Sequence, residues 1–426
     1  CLSFLFFPKF EFLEPIMPVI KPFKAILPNL AHAKEVVIGL ENLTISSAKE
    51  IGQLNPISFV HLLVPKIENY YLRGSKQELA FQKIIENFDD FKTNQILMKD
   101  EQPAIYIYEF KNEDFHFKGF WTISAIDDYL NNHIKKHELT VKEREKGLIE
   151  YLQQTGIDAN PVLITYPNHT ILDAIIEKEI QNVAAISFTL DDTLHQVWRL
   201  TDEDLIAQIL TAFKEMPNTY IADGHHRAAA ASTYGIERRK LNLKHRGTEE
   251  YNFFSSVYIS ANQLAILPFH RFLKLNADFR RDEILPFLEN HFELKRIDII
   301  NLIPENRGEI GFYFDGVAHQ IDLKRHVKND VLEDLDVSLL QNLILNPLFE
   351  IKNPREDSRI HFLGGSINLE DCLKQIDEGI FDLAFFLYPV LIQDLMAIAD
   401  LGETMPPKST WFEPKFLAGL ITHEID

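Results

Sequence analysis

Cysteine is nearly absent. Cys1 and Cys372 are the only two among 426 residues. Neither a disulfide framework nor a Cys-rich zinc site can be built from them, and the usage fits a reducing, cytoplasmic setting. Positive charge is also short: Lys and Arg number 43 against 63 Asp and Glu, a formal net charge of −20. A protein that holds nucleic acid by bulk charge normally shows a basic face, so nucleic acid is not the expected partner, although a small basic pocket stays open. No segment is long and apolar enough to span a bilayer, so no membrane is expected either. The glycine patterns of a Walker loop, a dinucleotide-binding turn and a nucleophile elbow are all missing. His137-Glu138 does not extend to a zincin motif, because Val141 stands where the second histidine is needed.

What is there is an ordinary globular composition, 46% apolar and 25% charged, long enough for two or three domains or subdomains. Residues 1–16 lack the basic start and cleavage site of a signal peptide. They read as an upstream extension from a misplaced start codon, with Met17 as the natural start; a mature lipoprotein beginning at Cys1 is the alternative.

Hydrophobic periodicity predicts strands over 59–64, 103–110, 116–123 and 161–166, a β pair over 184–190 and 195–200, a strand end at 220–222 and a strand over 253–259. Helices are predicted over 77–91, 127–134, 141–154, 171–180 and 202–214, the third with Thr140 as N-cap and Glu143 completing a capping box. Beyond about 275, helices near 282–291, 337–345 and 369–376 alternate with strands at 292–297, 308–314, 319–323, 359–363 and 381–386. This is an α+β chain with mixed sheets and packed helices, divided into a core over 17–275 and a C-terminal α/β region over 276–426, whose tail at 402–420 is Pro- and Lys-rich loop.

The strongest chemical signal is ADGHHR at 222–227, a strand end turning into an alanine-rich helix. Gly224 permits a tight turn and close approach of a ligand. His225, His226 and Arg227 stand at a helix N-terminus, where cations are disfavoured, and such broken rules gather at functional sites. An anion would reconcile them, because free N–H groups, Arg227 and a histidine can all donate to one phosphate. Asp223 can then hold a metal or act as a base. Adjacent helical histidines cannot both face one point, so only one contacts a ligand. The plain alternative makes Asp223 an N-cap and the histidines filler.

Four weaker groups remain. IKKHELT at 134–140 makes Glu138 a base or metal ligand with His137 as its polar partner, or else is a helix junction capped by Thr140. LPFHR at 267–271 offers His270 and Arg271, or a strand with a solvated basic end. Gly364-Gly365-Ser366 can cradle an anion or simply connect strand to helix. MPPKSTWFEPK at 405–415 is stiffened by prolines and can carry Lys408 into a cleft.

Taken with KPFKAILP, NPISFVHL and AIYIYEF, these segments resemble a full-length family of uncharacterised bacterial and archaeal proteins, a domain of unknown function. Members are sometimes labelled ParB-like or SpoOJ/ParA/ParB/repB family proteins. The resemblance spans about 18–420. ADGHHR is also similar to the signature turn of the ParB/sulfiredoxin-like fold, which includes an archaeal free-serine kinase. That resemblance implies a ParB/sulfiredoxin-like core and a nucleotide (ATP or ADP) with Mg²⁺ as cofactors. It implies Asp223, Gly224, His225, His226 and Arg227 as phosphate-binding and catalytic residues. The activity this points to is a small-molecule phosphotransferase or nucleotide hydrolase; read with the residues themselves, the catalytic candidates are Asp223, His226 and Glu138, with Asp223 or Glu138 as base, and Lys408 closes on the phosphates. The alternatives are a ParB-like DNA-partition protein, which the acidic charge disfavours, and a non-catalytic phosphometabolite sensor. The oligomeric state is not legible.

Overall fold

The computed structural model describes residues 18–41, 43–63 and 77–425; the extension expected at 1–16 lies outside them. The fold is α+β. Nine strands make the larger sheet: β1 (Ile20–Lys21), β2 (Ile105–Lys111), β3 (His116–Ala125), β4 (Ile134–Lys135), β5 (Val162–Tyr166), β6 (Ile186–Leu190), β7 (Thr193–Leu200), β8 (Thr219–Asp223) and β9 (Phe253–Ser260). Their order is β6-β7-β2-β3-β9-β5-β8-β4, with β1 also beside β3. Pairing is antiparallel except for β9 with β5 and β8 with β4.

Strand periodicity builds the layers. In β2 every residue from Ile105 to Phe110 is buried, yet alternate side chains go to different cores, as a period of two requires. Ile105 and Ile107 pack against helices that contribute Leu172, Ile209, Phe213 and Tyr234. Tyr106, Tyr108 and Phe110 point the other way, into a core shared with a second sheet.

That second sheet is wholly antiparallel and comes from β10 (Phe269–Leu273), β11 (Glu293–Arg296), β12 (Glu309–Phe314), β13 (Val317–Asp322), β14 (Ile360–Gly364) and β15 (Leu383–Phe386). Its order is β11-β13-β12-β15-β10-β14. Phe312 and Phe385 join Tyr108 and Trp121 of the larger sheet in one apolar cluster. The tail then returns to the first half of the chain. Trp411–Glu413 pairs with Ala265–Leu267, Leu417–Ala418 with Ile38–Gly39, and His423–Glu424 with Ile157–Asp158.

Some expectations are overturned. The apolar run expected as a strand at 59–64 is a helical turn at Val60–Leu63, where Phe59, Val60 and Leu62 are all buried in a cluster of helix and strand side chains rather than paired in a sheet. The helix expected over 127–134 stops at Leu130, and Ile134 begins β4 beside Thr219. Thr140 does not cap the helix α1 (Lys142–Thr155); Val141 takes the N-cap position without a side-chain bond. The reason is tertiary: the Val141 N–H donates to His226 Nδ1 at 3.3 Å. His270 and Arg271 are not a solvated end but are 1% and 2% exposed.

Candidate functional site

Strand β8 ends at Asp223, and Gly224, at φ 98°, turns the chain into the helix α2 (His225–Leu241). Ala228, Ala229, Ala230 and Ala231 are buried, and their small side chains let the helix lie close on the sheet. Gly224, not Asp223, holds the N-cap position, so Asp223 is not the helix cap. It pairs instead with Arg227 Nη2 at 3.2 Å and with Lys415 Nζ at 3.7 Å. Burial alone would raise the Asp223 carboxyl, but Arg227 and Lys415 together hold it below its ordinary range. Arg227 Nη1 donates to Asn160 Oδ1 at the start of β5, so the guanidinium is fixed on two sides.

Both histidines are neutral at physiological pH. His225 is driven well below its ordinary value by burial first and then by His137, His226 and Arg227. His226 is lowered, again chiefly by burial. The helix N-terminus therefore meets one full positive charge, Arg227, and Asp223 counters it. Hydrogen bonding assigns the tautomers. His225 Nε2 accepts the His137 N–H at 3.4 Å, which leaves the proton on Nδ1, 3.8 Å from Glu138 Oε2. His226 Nδ1 accepts from Val141, so its Nε2 carries the proton.

These groups line a cleft of about 300 Å³, at the lower end of small-molecule pockets. Its wall includes His137, Glu138, Asp223, Gly224, His225, His226, Arg227 and Lys408. Both histidines thus reach the wall, His225 from beneath at 3% exposure and His226 half-buried. Arg144, Ser409, Trp411 and Lys415 also line it. Four cations and two carboxylates face one space in a chain of net charge −20.

The loop carrying Lys408 is held from two sides. The Met405 N–H donates to the His137 carbonyl at 2.8 Å, and Arg271 Nη2 donates to the Pro407 carbonyl at 3.4 Å. Lys408 itself has a positive φ of 54° and lies over the Phe269 ring at 5.1 Å.

Thr140, His270 and Arg271 are not part of the cleft wall among the described residues. His270 Nδ1 accepts the Leu387 N–H at 3.1 Å within the second sheet. The Gly364-Gly365 turn cradles no anion: the Trp411 indole fills it, and a Cβ on Gly365 would lie 2.9 Å from that ring. Lys415, Asn160 and Arg144 were not singled out from sequence; a lysine seven residues after Lys408 on the same tail was the one available sign. Among the described residues no group of three or more His, Cys, Asp or Glu side chains could hold a metal ion. No described helix is long and apolar enough to cross a membrane.

The chain belongs to the family described as protein of unknown function DUF1015, whose profile matches residues 20–338. No curated protein matches it. Among solved structures it is similar to a free serine kinase in complex with AMP, at 15% identity over 72% of this chain and 91% of that one, with a TM-score of 0.36. A mutant free serine kinase in complex with ADP matches at 14% identity over the same shares, with a TM-score of 0.38. A conserved hypothetical protein from Pyrococcus furiosus matches at 15% identity over 72% and 95%, with a TM-score of 0.35.

Proposed function

We propose that the 222–227 cleft binds the phosphates of an adenine nucleotide and that the protein transfers a phosphoryl group to a small molecule. The observation that carries this reading is the convergence of Arg144, Arg227, Lys408 and Lys415 on the N-terminal turn of α2 in an acidic chain. Phosphoryl transfer needs little beyond positioning and charge stabilisation, and such a set supplies both. The ParB/sulfiredoxin-like character of the core belongs to the same proposal. AMP and ADP, held by the free serine kinase structures, are the natural first probes.

The roles of the residues belong to the same proposal. Arg227, Lys408 and the α2 N–H groups hold phosphate oxygens, and the His226 Nε2–H donates to one of them. Asp223, paired with two cations, is a weak base and an organiser of charge. Were Mg²⁺ to accompany the nucleotide, Asp223 is the carboxylate placed to meet it, with phosphates supplying other ligands. Glu138 is the base. It takes the proton of an acceptor hydroxyl while the hydroxyl oxygen bonds to the terminal phosphorus. The bond from that phosphorus to the bridging oxygen breaks, and its electron pair leaves with the nucleoside diphosphate. His225 stands next to that carboxylate, its Nδ1 3.8 Å from Glu138 Oε2, a neighbour rather than a hydrogen-bond partner.

The test is calorimetric titration of ATP, ADP and AMP, with and without Mg²⁺, into the protein and its Arg227→Ala variant. The variant should lose about 1.5–3 kcal/mol of binding, the scale of a charged hydrogen bond. Equal affinity in both proteins would remove the site. Saturable binding without turnover in a screen of hydroxyl acceptors would favour a phosphometabolite sensor.

A further inference from the structure

Behind the cleft lies a second cavity of about 550 Å³. Arg227 belongs to the wall of both. The lining is mostly apolar, with Leu40, Leu43, Leu63, Leu148 and Phe254 among its residues. Tyr151 is also there, but its hydroxyl is taken by the Leu62 carbonyl at 2.5 Å. At the Arg227 end stand Asn160, which accepts from the guanidinium, and Asp158. Asp158 accepts the Ser255 N–H at 2.8 Å and the Asn160 N–H, burial raises its carboxyl, and the group still has a lone pair for a further donor.

We infer that this cavity takes a small molecule with an apolar body and a single hydroxyl or amine head. The head meets Asp158 and Asn160 beside Arg227, and the body lies along Leu148 and Phe254. Resting on the nucleotide reading, this molecule is the second ligand of the phosphate cleft, divided from it by the Arg227 side chain. The size falls within the range of small-molecule sites, which are largely apolar with a few placed polar groups. Asp158 favours a donor head over a carboxylate one.

The test titrates 1-hexanol, 1-octanol, 1-decanol and octylamine into the full chain by calorimetry, with ADP titrated in parallel. Saturable binding is expected, tightening about three- to fourfold for each added methylene. Leu148→Trp, at a half-buried wall position, fills the space and should weaken octanol at least tenfold while leaving ADP unchanged. Asp158→Asn should weaken octylamine more than octanol. No saturable binding, an affinity flat along the series, or octanol binding unaffected by Leu148→Trp would each overturn the inference. If Leu148→Trp does not fold, the chain-length series decides alone. ADP binding without alcohol binding sinks this inference and spares the nucleotide reading. Alcohol binding without ADP binding does the reverse, and the ligand class of the cavity stands.

Discussion

The imidazole of His137 stands edge-on to that of His225, ring centroids 4.4 Å apart and planes at 84°. Two histidines in such contact cannot both be charged. Burial holds His137 down at about 4, with Asp223 only partly opposing it. His225 lies well below 6.5 for the same first reason. A histidine with a lower pKa folded than unfolded takes its proton first in the unfolded chain, so stability is lost as pH falls below 6.5. His195, at about 4, and His270, at about 3, act in the same direction. Asp128 and Asp336, raised by burial to about 6 and about 7, act oppositely between 3.8 and those values. His226 and His319 are lowered as well, and burial also raises Glu41, Asp158 and Asp173; six histidines against five carboxyls should leave a modest net fall in the urea midpoint between pH 6.5 and 4.5. The ring resonances of His137 and His225 should not titrate between pH 8 and 5.5.

Lys408→Ala removes an exposed side chain whose one ring contact is with Phe269. Thermal stability should change little. ADP affinity should fall about tenfold, near the lower end of a charged hydrogen bond, and the loss should shrink as salt is raised. An unchanged dissociation constant at low salt would take Lys408 out of the phosphate site.

Gly224→Ala tests the turn. The residue sits at φ 98°, and a Cβ there would lie 2.8 Å from Arg227 Nε and Nη2. Backbone strain alone should destabilise by about 1–2 kcal/mol. The guanidinium must also move, so ADP binding should weaken by more than the stability change explains. Comparing melting temperature with calorimetric affinity separates the two effects.

Arg271 is a buried cation, 2% exposed, with no ion pair among the described residues. It donates to the Phe269 carbonyl at 2.5 Å, contacts the Phe362 ring at 4.8 Å, and burial holds it down at about 9. Replacing buried charge with a well-packed apolar side chain is often neutral or stabilising. Arg271→Met should therefore keep stability within about 1–2 kcal/mol of the parent. It should still weaken ADP binding, because the Pro407 tether behind Lys408 is gone. Unaltered binding would make Arg271 a packing residue only.

Much of this was legible in local pattern. Strands such as 103–110 and helices such as 202–214 carry their periodicity on their face; at the start of the latter Asp202 caps the helix, accepting the Leu205 N–H at 2.8 Å. ADGHHR announced itself because it breaks rules that hold elsewhere. The misses share one cause. Thr140 lost its capping role to His226, 85 residues away along the chain from Val141. Asn160 meets Arg227 across 67 residues, and Lys415 reaches Asp223 from the tail. An apolar run such as 59–64 has no period to choose between helix and strand, so its packing decides. None of these distances in space is written in spacing along the chain.

The tail that crosses back to pair with Ala265–Leu267 and Ile38–Gly39 carries two of the four cations of the cleft. During synthesis, then, the 222–227 turn emerges some 180 residues before Lys408 and Lys415 exist. A partly made chain presents the turn without its counter-wall. The order of manufacture thus withholds the finished cleft until residues 405–418 have docked, and a closed wall becomes a report that the two halves of the chain have found each other.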